Sequence, residues 1–342
     1  MHGIVTHTDL DGIVGAAIYV LGKGIRKNEY YVLFIEPIEI EKICDLINKN
    51  YEAISIIDIG VNVDSLKELL RCIEGSSVDV YWYDHHIWDL EWINKLSRYG
   101  VKLYIDSNSK CATDVVAKSI NIENRLIREY VDVTCAVDSW CFYRWEAPYL
   151  YRYIDYVKRF YGLERAFIDI LDAIERGIEV SELIKWIDPF IEKYIDEELK
   201  TISNICKDIK RIEVDDKDIC IYYRGFSIPN QSIVGNAVLN ICNCKIAAII
   251  RHDLTGISFR SREYNVREIA KKLGGGGHIK AAGAPLKINR LFKIALDMLP
   301  DKLRKAMLYG YIEKLLRDSI AINKNGSLNV SLSKILRLKK LV

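Results

Sequence analysis

The sequence lacks any run of about 18 uncharged apolar residues, so no membrane span is expected. It also has almost no net charge. The 49 Lys and Arg are balanced by 47 Asp and Glu, leaving +2. Bulk charge therefore does not imply a grip on long nucleic acid. No GxxxxGK[ST] phosphate loop occurs, and the contiguous glycines of the second half are not a GxGxxG dinucleotide fingerprint. Of nine scattered cysteines only Cys242 and Cys244 are close, with one residue between them. That is neither a CxxC zinc pair nor a small-protein disulfide framework, and a reduced, intracellular protein is expected. No signal peptide is expected either. Met1 leads directly into a strand-like run, with Asp9 and Asp11 where an apolar core would continue. A cytoplasmic location follows from that reading. Methionine is scarce while Ile, Lys and Glu are frequent, a composition that suits a thermophile.

Half of the 342 residues are apolar and 28% are charged, enough for sizeable cores in about two domains. Through the first half, short apolar strands alternate with helices. Strands are predicted at 4–6, 30–35, 53–57, 78–83 and 101–105, with helices at 12–21, 39–49, 62–73, 111–120 and 124–138. Strands apolar on both faces predict a parallel sheet covered by helices. Residues 149–215 read as a charged, aromatic helical connector. Strand signals return at 219–223, 245–250 and 256–260, with helices at 232–241 and 265–273 and another opening near His278 after a glycine turn. The fold class is therefore α/β in two domains. A parallel-sheet N-terminal domain spans 1–148, and a smaller mixed-sheet α/β domain spans 216–300. A basic extension, 301–342, holds ten Lys or Arg against three Asp or Glu. Its 302–317 part reads as helix, and the last residues as an edge strand or a short amphipathic helix.

Three distant segments place ligand-type side chains just after apolar strands: His7, Asp9 and Asp11 in THTDLDG, Asp58 in IIDIG, and Asp84, His85 and His86 in YWYDHH. An open α/β sheet binds ligands beyond the carboxyl ends of its strands, so these residues converge on one edge. An Asp after a strand is ordinarily a cap or turn residue. Seven such groups together are harder to explain as caps. Crowded carboxylates repel, and a cation is their natural partner. Oxygen-rich donors with some imidazole and no thiolate favour Mn or Mg over structural zinc. Asp106, Asp114 and Asp132 are further acidic residues, the last two read as helix-surface positions and Asp106 near the sheet edge.

With these motifs the chain resembles the DHH phosphoesterases, whose signature is Asp84-His85-His86. THTDLDG resembles the first motif, IIDIG the second, and Asp138 in TCAVDSW the fourth. The resemblance implies two manganese ions per chain, with magnesium as the alternative. His7 and Asp9 would hold one, Asp11, His85 and Asp138 the other, and Asp58 would bridge. Asp84 would support the histidines, and His86 would lie close to the phosphate. Several branches space the first His four residues before the first Asp; here, as in some branches, the spacing is two. The 109–113 segment sits where relatives have a small-residue helix start facing the active site, and its N–H groups would be placed to assist phosphate binding.

In the second half, GGGGHIKAAG runs from Gly274 to Gly283. Contiguous glycines permit positive φ and a close backbone approach, and their N–H groups can form an anion nest. The run resembles the GGGH motif of the substrate-binding (DHHA1-type) domain attached to DHH catalytic domains. That implies substrate contact at Gly275, Gly276, Gly277 and His278. Arg251, Arg260 and Arg262 resemble the family's phosphate- or base-contacting arginines. Together these imply a nanoRNase-like or archaeal RecJ-like hydrolase of short oligonucleotides or small nucleotides, in which a hydroxide supplied at a metal pair attacks phosphorus. The alternatives are a cyclic dinucleotide or pAp phosphoesterase, and a nucleic-acid factor of replication or repair that binds without hydrolysis. A second copy of the chain is a further candidate partner.

Overall fold

Short apolar runs in the first half of the chain pair side by side because each buries both of its faces. The computed structural model describes residues 1–49, 51–61, 63–122, 124–225 and 229–321. Strands β1 (His2–Thr6), β2 (Tyr30–Phe34), β3 (Ala53–Ile57), β4 (Asp79–Asp84) and β5 (Lys102–Ile105) form one parallel sheet in the order β2-β1-β3-β4-β5. Every residue of β3 is buried, as expected for the central strand of a covered sheet.

Helices cover both faces. On one side α1 (Leu10–Gly22), α5 (Ala112–Ser119) and α6 (Arg125–Asp138) share an apolar core with β1, β3 and β4. On the other side lie α2 (Ile43–Asn48), α3 (Val63–Ile73) and α4 (Leu90–Arg98). The segment predicted as a connector has a different fate. Helices α7 (Ala147–Phe160) and α8 (Leu163–Glu175) place Leu150, Tyr153, Ile154, Phe167, Ile170 and Leu171 in the core of α1. Their apolar faces need a partner, and α1 supplies it. The first compact unit therefore runs to Ile195, inside α9 (Val180–Asp208), and the second begins at Asp196.

The second unit holds a mixed six-stranded sheet, ordered β10-β11-β9-β8-β7-β6. Its strands are β6 (Lys210–Val214), β7 (Lys217–Tyr223), β8 (Ile246–Ile250), β9 (Gly256–Ser261), β10 (Gly276–Gly277) and β11 (Ala281–Pro285). Only β7 and β8 are parallel, joined by the crossover helix α10 (Gln231–Asn240). Helices α11 (Val266–Lys272), α12 (Arg290–Asp297) and α13 (Asp301–Ala321) cover the opposite face. Strand β6 falls at the end of the predicted connector and pairs with β7 across a turn in which Asp215 and Asp216 both have positive φ. Residues 322–342, with the predicted terminal strand or helix, lie outside the described residues.

Two expectations are corrected. No helix opens at His278. Instead Gly276 and Gly277 pair with Gly283 and Ala282, and the His278 N–H donates to the Ala281 carbonyl at 2.7 Å, closing a hairpin. The reading as reduced cysteines also fails. Disulfides join Cys44–Cys72, Cys111–Cys135, Cys206–Cys242 and Cys220–Cys244, leaving Cys141 as the free cysteine. Partners 24 to 36 residues apart in sequence meet through tertiary packing, which spacing alone does not reveal. Among the described residues no helix is long and apolar enough to cross a membrane.

Candidate metal centre

The carboxyl ends of β2, β1, β3 and β4, four neighbours in the sheet, carry Glu36, His7, Asp58 and the Asp84-His85-His86 run. Asp58 leaves β3 with φ of 57°, a left-handed conformation that Asp tolerates better than most residues, and its N–H donates to the Tyr83 carbonyl at 2.9 Å. Its two carboxylate oxygens face different ways. Oδ2 lies 3.4 Å from His7 Nδ1, and Oδ1 lies 3.7 Å from His85 Nε2. His7 Nδ1 is also 2.9 Å from Asp9 Oδ2, and His85 Nε2 is 3.3 Å from Asp138 and 3.9 Å from Asp11. Three groupings result in which ligand atoms lie close enough to share an ion: His7, Asp9 and Asp58; Asp11, His85 and Asp138; and Asp58, His85 and His86.

The donor set fits divalent cations. Asp11 and Asp58 are buried, and no Lys or Arg pairs with them among the described residues. Burial pushes the Asp58 carboxyl well above the usual range, and the charges of Asp11 and Asp9 add to it. Asp11 is raised by burial and by Asp9. Asp138 is pushed up to about 8 by burial, with Asp11 and Asp9 contributing. Carboxylates so placed are disfavoured as anions until a cation joins them.

Surrounding hydrogen bonds fix several of the donors. Asp9 caps α1, its Oδ1 accepting from the Gly12 N–H at 3.2 Å. Asp11 accepts from the N–H groups of Ala112 and Thr113 at 2.7 and 2.8 Å and from the Thr113 hydroxyl at 2.6 Å. The start of α5 thus spends these N–H groups on Asp11 rather than facing a phosphate as expected. The Cys111–Cys135 bridge ties that helix start to α6, one turn before Asp138. Asp84 is fully buried. Its Oδ1 pairs with His86 Nδ1 at 2.8 Å, and its Oδ2 accepts from the Trp88 indole at 2.7 Å. The hydrogen bond to Asp84 is the main cause of a raised His86 pKa. Half of the His86 side chain is exposed, so its outer edge is accessible. Asp106 caps the 108–109 turn, and Asp114 pairs with Lys118, Arg128 and Ser109, so both have other employment.

Sequence reasoning missed Glu36, Thr8, Lys158 and Trp88. For Glu36 the signal was present, since it follows β2 as His7 follows β1 and Asp58 follows β3. Lys158 came from the supposed connector, where no motif marks it.

In the second unit, the residues expected to bind substrate divide. Arg260, Arg262 and the 278–280 hairpin tip lie at one end of β9, with Ala281 opposite Arg260 and the Lys280 ammonium bonded to the Arg262 carbonyl. Arg251 sits at the other end, where its N–H donates to Gly256, and pairs with Asp253 at 3.4 Å. At about 3.3 Å per residue, the four-residue step from Gly256 to Arg260 puts them on the order of 13 Å apart. Arg260 is half-buried and bonds to the hydroxyls of Ser258 and Ser232 and the Phe259 carbonyl, none of them anionic. Burial lowers its pKa. Gly276, Gly283 and Ser258 are in register, so they share the face of Arg260. A Cβ on Gly275 would meet the Gly283 carbonyl at 2.0 Å, and one on Gly277 would meet Ala282 Cα at 2.7 Å. A Cβ on Gly276 would meet nothing within 4 Å.

Residues 220–305 match the family model of the DHHA1 domain. A 34-residue stretch is 62% identical to the bifunctional oligoribonuclease and PAP phosphatase NrnA of Mycoplasma pneumoniae, covering 10% of this chain and 10% of that protein. Among solved structures, the chain is similar to the pGpG-specific phosphodiesterase PggH of Vibrio cholerae. That match has a TM-score of 0.53 and 16% identity, and covers 86% of this chain and 96% of that one. It is also similar to RecJ of Thermus thermophilus in complex with Mn2+, at a TM-score of 0.58 and 14% identity, over 84% of this chain and 49% of that one. At these identities the likeness is one of fold. Residues 220–305 therefore belong to the DHHA1 domain family, and over most of its length the chain shares the fold of these solved structures.

Proposed function

We propose that the chain is a metal-dependent phosphoesterase acting on short oligonucleotides or small nucleotides, and that it takes two manganese ions, with magnesium as the alternative. One observation carries this reading: the two oxygens of Asp58 point to two separate donor groups, one around His7 and Asp9, the other around His85, Asp11 and Asp138. A paired site, when loaded, supplies Lewis acidity and a water nucleophile at neutral pH. The chain's own residues do the rest. Asp58 holds both donor groups in one geometry. Asp84, clamped by Trp88, fixes the His86 ring with Nδ1 inward and leaves Nε2 to stabilise or protonate the departing oxygen.

Substrate recognition falls to the second unit. Bare backbone at Gly276 and Gly283 beside Arg260 makes a floor that a phosphate or a nucleobase can approach closely. Gly275 and Gly277 are required by the strand packing, whereas nothing among the described residues lies within 4 Å of a Cβ on Gly276. Arg262 and His278 flank the same end. Arg251 joins the set only for a substrate long enough to span the strand. The near-zero net charge favours short substrates over a long backbone track.

Product analysis with Mn2+ on a di- to pentanucleotide RNA series, pAp and a cyclic dinucleotide tests the proposal. Cleavage of one of these classes, abolished by Asp58→Asn, supports it. Stoichiometric nucleotide binding with no turnover on any of them would favour the non-hydrolytic alternative.

A further inference from the structure

We infer that Glu36, held by Thr8 and Lys158, is a positioning residue for His7: it accepts the hydrogen bond of the Nε2 N–H, so that Nδ1 is the nitrogen His7 offers to a metal. The inference rests on the metal-centre reading above and adds a residue outside the DHH motifs.

An imidazole that ligates through one nitrogen must carry its proton on the other, and the partner of that N–H sets the tautomer and the ring angle. The two edges of His7 face different company. Nδ1 lies between Asp9 Oδ2 and Asp58 Oδ2, at 2.9 and 3.4 Å, inside a grouping able to share an ion. Nε2 faces Glu36 Oε2 at 3.4 Å. Glu36 belongs to none of the groupings able to share an ion among the described residues.

Glu36 is itself restrained. Its Oε1 accepts from the Thr8 hydroxyl at 2.6 Å. That hydroxyl in turn accepts from the Lys158 ammonium at 2.6 Å, and the same ammonium donates to the Thr8 carbonyl at 3.2 Å. Lys158 also lies 3.7 Å from Glu36 Oε1. A hydroxyl that accepts from an ammonium must send its own proton onward, so the direction of the chain is fixed: Lys158 to Thr8 to Glu36, with the second carboxylate oxygen turned to His7. Glu39 holds the Glu36 backbone N–H at 3.0 Å, fixing the root of the side chain. The arrangement also gives the short His7-Asp9 spacing a purpose. Two residues after His7, the Asp9 carboxylate lies beside Nδ1, the near nitrogen, while the far nitrogen reaches β2's end.

The test is Mn2+ calorimetry on the full chain, for wild type, Glu36→Ala and Glu36→Gln, with circular dichroism as a folding control. Two sites are expected in wild type. In Glu36→Ala one site should weaken by roughly 10- to 100-fold and the other stay unchanged. Glu36→Gln keeps an acceptor oxygen and should recover most of that loss. If Glu36→Ala misfolds, Thr8→Val frees the carboxylate without removing it and should give a severalfold loss at the same site. A readout independent of activity is the 15N spectrum of His7 in the Mg2+-loaded chain, which should show the proton on Nε2. A proton on Nδ1, or wild-type affinity at both sites in Glu36→Ala, overturns the inference while leaving the metal centre standing. Wild type that binds no Mn2+ overturns the metal reading and this inference together.

Discussion

At the carboxyl edge of the first sheet, five aspartates and three histidines crowd together, several of them fixed by a hydrogen bond from a helix start, an indole or a neighbouring ring. Along the β9–β11 face of the second sheet the reverse holds. Gly276 and Gly283 offer no side chain, and the neighbouring Arg260 has no acidic partner among the described residues. One region concentrates charge that a cation must relieve. The other leaves backbone bare of side chains, and it is there that substrate contact is proposed. The contrast teaches that a site can be marked by what is crowded into it or by what is kept out, and the two kinds respond differently to mutation.

The largest effect is expected where crowding is greatest. Asp58→Asn should lower kcat by about three orders of magnitude, because the lost charge serves both donor groups and metal stabilisation is worth several kcal/mol. Steady-state kinetics at saturating Mn2+ checks this, and near wild-type turnover would remove Asp58 from the centre.

Next comes the brace behind that site. Removing Cys111–Cys135 by Cys111→Ala with Cys135→Ala should cost roughly 3 kcal/mol of stability in the loop-entropy account. It should also weaken metal binding, because Cys111 precedes the N–H groups that hold Asp11. Chemical denaturation and calorimetry read the two effects. Thiol titration of the unreduced, denatured chain should find one free cysteine, Cys141.

In the uncrowded region, Gly276→Val should lower kcat/KM by about one to two orders of magnitude while leaving metal stoichiometry and folding unchanged, since a Cβ there meets nothing within 4 Å among the described residues. His278→Ala should act in the same direction, on the scale of one lost charge-assisted hydrogen bond, about 1.5–3 kcal/mol. Loss of a metal equivalent in either variant would erase the distinction between the two regions.

The smallest effect is a slope with pH. In the metal-free chain, Asp138 titrates near 8 rather than at its ordinary 3.8, with Asp58 and Asp11 also raised. The folded form therefore binds protons more tightly than the unfolded form. That stability is fully present below about pH 4 and is lost as pH rises through about 8. With chelator, Tm should fall between pH 5 and pH 9. With excess Mn2+ the fall should vanish. A Tm that rises over this range without metal would contradict the assigned electrostatics.

Much of the first region was legible from sequence because its signals are local. Strands apolar on both faces end abruptly at His7, Asp58 and Asp84, and an abrupt end to a buried strand marks a sheet edge. The second region was legible only in part. GGGGH announces backbone exposure, but contiguous glycines fit a helix-leading turn and a two-residue edge strand equally well. The choice is made by Gly283 and Ala282 across the hairpin. Helices α7 and α8 were read as a connector because an amphipathic face does not name its partner, and theirs proved to be α1. The disulfides were missed for the same reason, since Cys111 and Cys135 meet only once α5 packs on α6.

Anomalous scattering from crystals grown with Mn2+ tests the central claim most directly. The account predicts two peaks per chain, one among His7, Asp9 and Asp58, the other among Asp11, His85 and Asp138, with Asp58 reaching both. A structure with no peak there, or with a single ion away from Asp58, would contradict it.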